Sequence, residues 1–262
     1  MTTTGDPVAL RGSPAVKATG VRVVVGTGQR PALASRQSSA SPHYGGATYT
    51  YQVNGQTYLC TTGFAVRIGR ATRMLTAGHC GSDGMTTYSG SGAVMGTVSG
   101  DNNARDTMLI NTASAGHTYV GSYTSSTSKP VYTALPSYVD TLVCSSGAMT
   151  GQHCNIRVKA VNQTITVSNG SGGSYAISPV VKAEHDAQGV AVGQGDSGGP
   201  MMAQDSQFGI VINYAMGTIT ALDLAVEVPC GASLYPTNCS WRMWYVDITK
   251  SLGYYGASIV LG

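Results

Sequence analysis

The chain is poor in charge. Asp, Glu, Lys and Arg make up 10% of its 262 residues, and the net charge is +3. The positive residues are scattered, so no stripe of Lys or Arg predicts binding to nucleic acid or to an anionic membrane surface. No apolar run reaches the roughly 18 residues that cross a bilayer. Met1–Pro14 lacks the apolar core of a signal peptide. We therefore expect no nucleic acid and no membrane among the partners.

Phenylalanine is scarce, whereas turn-forming residues are abundant: there are 2 Phe but 35 Gly and 15 Tyr. This composition suits a β-rich protein with many tight turns. From Ala47 onward, strand-like runs alternate with turn residues at the spacing of an all-β sandwich or barrel. The runs are TYTYQV, GFAVRI, RMLTA, TMLINTA, VDTLVC, NIRVKAVNQTITV, FGIVIN and ALDLAVEV. One helix is predicted, Trp244–Gly253, with Val246, Ile248 and Leu252 on one face and its final glycine as the stop.

The six cysteines contain no Cys-x-x-Cys motif. The two that follow a histidine, Cys80 and Cys154, lack the ligand spacing of a zinc site. The cysteines instead form three pairs that are close in sequence: Cys60 with Cys80, Cys144 with Cys154, and Cys230 with Cys239. Six cysteines allow fifteen connectivities, so pairing by nearness is a hypothesis. Disulfides predict a secreted, extracellular protein, and we expect no metal and no organic cofactor.

The sharpest chemical signal is the string Gly195-Asp196-Ser197-Gly198-Gly199-Pro200. A serine hydroxyl is a poor nucleophile unless a base activates it. The flanking glycines allow a tight turn in which the amides of Gly195 and Ser197 point at one spot and form an oxyanion hole. A glycine-rich turn without chemistry is the alternative, but the complete six-residue string favours a nucleophilic serine.

The order of the residues along the chain decides which catalytic arrangement fits. The string also matches the Gly-x-Ser-x-Gly elbow of α/β-hydrolases, whose histidine follows the serine. All five histidines here precede Ser197, which excludes that arrangement. The order Asp, His, Ser would need Asp6, the only aspartate before His79, and Asp6 lies in the irregular start. The order His, Asp, Ser remains.

His79 is the predicted base. It lies in Thr76–Cys80, directly after the apolar residues Met74 and Leu75 and beside a cysteine that would hold it in place. The other histidines are expected to be solvated on the surface: His43, His117, His153 and His185.

Asp106 is the predicted orienting carboxylate, because it stands where a polar loop enters the buried strand Asp-Thr-Met-Leu-Ile. Asp83 and Asp101 lie in polar stretches and are expected to be solvated.

Together these segments resemble the chymotrypsin family, in particular its bacterial branch of streptogrisins and α-lytic protease. The stretches that carry the resemblance are Cys60–Val66, Leu75–Cys80, Cys144–Cys154, Gly195–Pro200 and the ending Tyr254–Leu261. The resemblance runs from about Tyr44 to the C-terminus. It implies two packed six-stranded antiparallel β-barrels with a short C-terminal helix and the triad in the cleft between the barrels. It also supports the first two disulfide pairs.

The resemblance divides the chain into three parts. Residues 43–125 would form the first barrel with His79 and Asp106, and residues 126–262 the second barrel with Ser197 and the helix. Residues 1–42 would be a leader, in which Val21–Val25 could form one strand before a polar, proline-containing stretch. Relatives carry a removable pro-segment, so the leader is either its remnant, the end of a preceding domain or a disordered tail. Removal predicts a start near Ser41–Tyr44.

The chain departs from the family pattern in three places. Ala191 replaces a cysteine six residues before the nucleophile, so the usual downstream partner would be free and Cys230–Cys239 would close a local loop instead. Ser145 replaces the arginine that holds the aspartate before the serine, so a buried Asp196 needs another partner. Arg157 is the candidate.

The third departure lies in the substrate wall, where relatives have Ser-Gly-Gly and our alignment places Ile212, Asn213 and Tyr214. With Ala191, Val192 and Gln194, these residues form the predicted pocket. No carboxylate lies six residues before the nucleophile to pair with Lys or Arg. We therefore expect preference for small or medium apolar residues at the cleaved bond.

The sequence thus predicts a secreted, monomeric serine endopeptidase that acts on proteins or peptides through an acyl-enzyme. The alternatives are a binding or adhesion module on the same fold with weak or lost catalysis, and an esterase.

Overall fold

A computed structural model describes residues 35–168, 174–207, 210–235 and 237–262 of the chain. The strands of the first half are β1 (His43–Gly45), β2 (Thr48–Val53), β3 (Gln56–Thr61), β4 (Ala65–Ile68), β5 (Ala71–Thr76), β6 (Thr86–Ser89), β7 (Val94–Asn102), β8 (Thr107–Asn111) and β9 (Ser114–Tyr119). The strands of the second half are β10 (Ser128–Ala134), β11 (Leu142–Gly147), β12 (Gly151–Ser168), β13 (Ser174–His185), β14 (Val192–Gly193), β15 (Pro200–Gln207), β16 (Ile210–Leu222), β17 (Glu227–Val228), β18 (Cys239–Ser240), β19 (Arg242–Asp247) and β20 (Ser258–Ile259). The described part of the chain also has one α-helix, α1 (Ile248–Tyr255), and two 3-10 turns, Gly78–Cys80 and Leu224–Val226.

The predicted all-β class with a short C-terminal helix is confirmed. Most of the predicted strands occur, but the run ALDLAVEV is interrupted by the 3-10 turn Leu224–Val226. The strand predicted at Val21–Val25 lies outside the described residues. No helix in the described ranges is long and apolar enough to span a bilayer.

The strands form three hydrogen-bonded sheets. One sheet has eight strands in the order β20-β4-β5-β8-β7-β6-β2-β3, and another has nine in the order β1-β9-β10-β16-β15-β11-β12-β13-β19. The third is small, in the order β14-β18-β17. Two barrels of six strands, with a division at residues 125 and 126, stay a prediction, because this sheet order does not test how each sheet closes.

An apolar core joins the two large sheets. Phe64, which directly precedes β4, and Leu75 of β5 pack in one cluster with Met202 of the nine-stranded sheet and Ile248 of α1, and all four are at most 1% exposed. Burying such side chains is the main driving force for holding the sheets together. The shared core fixes the loops that both sheets contribute to the site described below.

Helix α1 begins four residues later than the sequence pattern predicted. Trp244 to Asp247 belong to β19, which pairs with both β13 and β16. The Asp247 carboxylate then accepts a hydrogen bond from the Thr249 amide at 2.8 Å and caps the new helix. The helix ends at Tyr255, where Gly256 takes a φ of +58° that suits glycine. Sheet pairing therefore outweighed the helical periodicity of the first residues.

Candidate active site

The pairing of β5 with β8 brings His79 and Asp106 together at the ends of these two neighbouring strands of the eight-stranded sheet. These strands are antiparallel, with Thr76 opposite Met108. His79 follows the end of β5 in the turn Gly78–Cys80, and Asp106 directly precedes β8. The end of one strand and the start of its neighbour therefore deliver the two side chains to the same place.

His79 and Asp106 form a hydrogen-bonded pair. Nδ1 of His79 lies 2.8 Å from Oδ1 of Asp106, and the backbone amide of His79 donates to the same oxygen at 2.9 Å. The Asp106 side chain is fully buried, whereas the His79 side chain is 30% exposed. Since a carboxylate only accepts, the pair assigns the proton to Nδ1 and leaves Nε2 free to act as a base.

Two opposing effects act on the pKa of His79. Burial lowers it, while the charge of Asp106 and the hydrogen bond that His79 donates to Asp106 raise it, and the net pKa lies above 6.5. Asp106 itself adopts a φ of +47°. This left-handed conformation is unusual for residues other than glycine, although aspartate tolerates it better than most. The backbone turn thus presents a buried carboxylate to the imidazole.

The structure contains three disulfides, and they join the cysteines in the expected pairs. Cys60 is bonded to Cys80, Cys144 to Cys154, and Cys230 to Cys239. The first of these joins Cys80, the residue after His79, to Cys60 near the end of β3, and so restrains the position of the imidazole. Position 191 is alanine where the family pattern has cysteine, and the downstream cysteines Cys230 and Cys239 bond to each other in a local loop.

Ser197 lies in the loop between β14 and β15 and lines the same cleft as His79. Gly195 has a φ of +95° and Gly198 a φ of +83°. A Cβ on Gly198 would lie 2.0 Å from Thr76 Oγ1, so glycine is required there. The carbonyl of Ser197 accepts a hydrogen bond from the Thr61 amide at 2.8 Å, which links this loop to β3.

Two backbone amides of this loop are available to a ligand. Among the described residues, the amides of Gly195 and Ser197 donate no hydrogen bond, whereas those of Asp196, Gly198 and Gly199 do. Pairs of free amides beside a nucleophile are suited to hold a developing oxyanion. The cleft thus contains the Ser197 hydroxyl and the His79 imidazole, and the two amides belong to the loop that carries Ser197.

Asp196 is fully buried and accepts hydrogen bonds from four groups. The amides of Met149 and Thr150 donate to Oδ1 at 2.9 and 3.1 Å, the Gly193 amide donates to Oδ2 at 2.8 Å, and the Thr150 hydroxyl also donates to Oδ2. Burial raises the pKa of Asp196 even though these donors lower it.

Arg157, the predicted partner of Asp196, lies elsewhere. Its guanidinium pairs with Asp186 at 2.7 Å on the surface. Proximity in sequence failed here because β12 carries the Arg157 side chain to the solvent side of the sheet.

The cleft has a volume of about 870 Å³. Its walls come from the β14 loop, the end of β16 and the β12–β13 hairpin: Val192, Gln194, Ile219, Thr220, Ala221, Leu222, Tyr175 and Ile177. Two of the predicted pocket residues, Val192 and Gln194, are among them. Among the described residues that line the cleft, none is Asp, Glu, Lys or Arg.

The other predicted pocket residues do not line the cleft. Ala191 is fully buried in the core. Asn213 is buried and donates to Thr118 Oγ1 at 2.6 Å, and the Tyr214 ring packs edge-on against Tyr132. Ile212 is also buried. The alignment placed the wall several residues too early in β16, because the sequence has no Ser-Gly-Gly to mark Ile219 to Leu222.

His43 corrects a further prediction. It is 4% exposed instead of solvated, and its Nδ1 lies 3.2 Å from Ser39 Oγ. Its amide also donates to the Ala113 carbonyl. His43 is part of the packing between β1 and the residues before it, which the sequence pattern did not indicate.

The known proteins that are similar to this chain include serine proteases. No family model matches the chain. Serine protease 2 of Streptomyces fradiae is 34% identical over 161 residues, covering 58% of this chain and 84% of that relative. Streptogrisin-C of Streptomyces griseus is 30% identical over 179 residues, covering 63% of this chain and 34% of that relative. The crystal structure of Thermobifida fusca protease A matches with a TM-score of 0.59 and 26% identity, covering 84% of this chain and 98% of that one.

Proposed function

The chain belongs to the chymotrypsin-like bacterial serine peptidases, and from this membership we propose that it is a secreted endopeptidase with the triad Ser197, His79 and Asp106. The family is a family of hydrolases, so the reaction class is that of a serine protease. One observation carries the assignment of residues. His79, which is hydrogen-bonded to Asp106, lines the same cleft as Ser197, and the amides of Gly195 and Ser197 have no acceptor among the described residues.

The chemistry runs through an acyl-enzyme. Nε2 of His79 takes the proton of Ser197 as Oγ attacks the scissile carbonyl carbon. The amides of Gly195 and Ser197 bind the oxyanion of the tetrahedral intermediate. The intermediate collapses when His79 returns the proton to the leaving amine. Water, activated by the same imidazole, then releases the acyl group and regenerates Ser197.

Asp106 has two roles in this scheme. It accepts from Nδ1 and so fixes the tautomer that leaves Nε2 free. Its buried negative charge also stabilises the imidazolium that forms in each step.

The general test is hydrolysis of casein together with a small peptide ester. An endopeptidase is expected to cleave both. Cleavage of the ester alone would favour an esterase, and cleavage of neither would leave the fold without the proposed reaction.

Three disulfides support an extracellular site of action. We propose that the protein is a monomer and that it acts on proteins or peptides.

We expect a preference for small or medium apolar residues at the cleaved bond. The cleft wall offers apolar groups such as Val192 and Ala221 and no charged partner in the described residues. A charged side chain would lose its hydration there without gaining an ion pair. With matched Ala, Leu, Phe, Arg and Glu esters, kcat/KM should be highest for Ala or Leu and about 100-fold lower for Arg and Glu. An optimum at Arg would contradict this pocket.

The pH dependence of the reaction should report His79. Only the neutral imidazole can accept the proton of Ser197, so kcat/KM must rise as His79 loses its proton. Because the net pKa of His79 is raised, the midpoint of this rise is expected above pH 6.5. The measurement is kcat/KM for an uncharged ester from pH 4 to 9. A midpoint below 6.5, or a flat profile, would contradict the pairing of His79 with Asp106.

A further inference from the structure

Residues 35–39, which the sequence analysis placed in the leader 1–42, are packed into the molecule. Arg36 is fully buried and Ser39 is 3% exposed. The amide of Arg36 donates to the Ser125 carbonyl at 3.1 Å, and its carbonyl accepts from the Thr48 amide at 2.8 Å. This part of the leader therefore belongs to the folded unit.

The two terminal nitrogens of the Arg36 guanidinium donate to neutral oxygens around β11, whereas its buried Nε has no hydrogen-bond partner among the described residues. Nη1 donates to the carbonyls of Gly147 at 2.6 Å and Gly46 at 3.2 Å. Nη2 donates to Ser146 Oγ at 2.9 Å and to the Gly121 carbonyl at 3.4 Å. Burial lowers the pKa of Arg36 to about 10, so the group keeps its charge at neutral pH. No carboxylate among the described residues bonds to it.

The buried carboxylate that faces this cation is Asp196, on the other side of Gly147. A Cβ on Gly147 would lie 1.9 Å from Asp196 Cγ, so the backbone of a single glycine separates the two groups. Asp196 also raises the pKa of Arg36 through its charge, against the effect of burial. A buried anion and a buried cation without each other would both be costly.

The peptide units between these two residues are held from both sides. Gln37 Nε2 donates to the Ala148 carbonyl at 2.7 Å, and the amide at the other end of that peptide, on Met149, donates to Asp196. The Ala148 amide donates to Thr61 Oγ1, which in turn donates to the Gly195 carbonyl at 3.0 Å. Arg36 thus binds the carbonyl of the Gly147–Ala148 peptide, and Asp196 accepts from the amide of the next peptide, so the two charged groups hold adjacent peptides of one segment.

We propose that Arg36 is a positioning residue for the oxyanion loop, the loop between β14 and β15 that contains Gly195 and Ser197. The charge of Arg36 balances that of Asp196 across Gly147, and its guanidinium holds the segment that anchors Gly195 and Asp196. This role rests on the proposed function. It follows that the active protein must retain Arg36, and that processing near Ser41–Tyr44 would destroy the arrangement.

The test compares Arg36→Gln with Arg157→Gln, which removes a surface arginine outside this network. Arg36→Gln should lower kcat by about 100-fold with little change in KM, the size of effect seen when one oxyanion donor is lost. Arg157→Gln should stay within about twofold of wild type, since an exposed ion pair contributes little. Arg36→Lys keeps the charge, so its kcat should be at least tenfold higher than that of Arg36→Gln.

A double-mutant cycle separates positioning from a general loss of fold. In the Asp196→Asn background the charge to be balanced is absent, so Arg36→Gln should cost less than about threefold there. Equal costs in both backgrounds would overturn the assignment. If wild type is active and Arg36→Gln has the same kcat as Arg157→Gln, the assignment is also overturned. An inactive wild type would instead overturn the proposed function itself.

A further measurement needs no variant. N-terminal sequencing of active enzyme from culture medium should find a first residue at or before Arg36. Active enzyme that begins at Ser41–Tyr44 would overturn the inference.

Discussion

Replacing Ser197 with alanine is expected to lower kcat for a peptide ester by about 10⁶-fold, the loss typical of a nucleophile that works as part of a triad. The reason is that, in the proposed mechanism, Ser197 forms the acyl-enzyme in the cleft that His79 also lines and on the loop that carries the free amides. What remains should be the small acceleration due to substrate binding and the oxyanion donors.

His79→Ala should cost about as much, and the double variant should be no worse than either single one, because the two side chains act as one unit. Additive losses would contradict a shared mechanism. Ser91→Ala is the matched control, since Ser91 is exposed and its hydroxyl lies within hydrogen-bond distance of the Ser89 hydroxyl, away from the site. Its kcat should equal that of wild type, and thermal unfolding of wild type and the four variants checks that the fold is kept.

Asp106→Asn is expected to lower kcat by about 10⁴-fold while the protein stays folded. An asparagine side chain can donate its amide to Nδ1 of His79, which would leave the proton on Nε2 and remove the base. The imidazolium would also lose the buried charge that lies 2.8 Å from its ring. The measurement is kcat at the pH optimum of wild type.

The control for this variant is Asp83→Asn, because Asp83 is exposed and accepts a hydrogen bond only from the Asp101 amide. Its activity should be unchanged. The acid limb of kcat/KM should also move to lower pH in Asp106→Asn, since the charge that raises the pKa of His79 is gone. Activity of Asp106→Asn within tenfold of wild type would show that another carboxylate orients the imidazole.

The site residues that the structure places together stand in short contiguous strings of the sequence, and their catalytic roles stay predictions. The segment Thr76–Cys80 and the loop Gly195–Pro200 hold their local geometry through glycines and a neighbouring disulfide, so their residue types indicate where His79 and Ser197 lie. Asp106 could be selected because it stands at the entry to a strand with four buried residues in a row.

The parts that the sequence did not predict depend on register and on contacts far apart in the chain. The cleft wall at Ile219 to Leu222 is set by a register shift in β16, which the alternation of apolar residues does not reveal. Arg36 is more than one hundred positions from the Gly147 carbonyl it binds, and it lies in a polar segment that looks like a linker. An isolated arginine there gives no local signal of burial.

In the proposed mechanism, Ser197 is a nucleophile activated by His79. Mass spectrometry of the protein after treatment with a fluorophosphonate tests this step, with peptide mapping of the adduct in wild type, Ser197→Ala and His79→Ala. One adduct, on Ser197, is expected in wild type, and none at that rate is expected in either variant. No adduct on folded wild-type protein, or an adduct on a different serine, would contradict it.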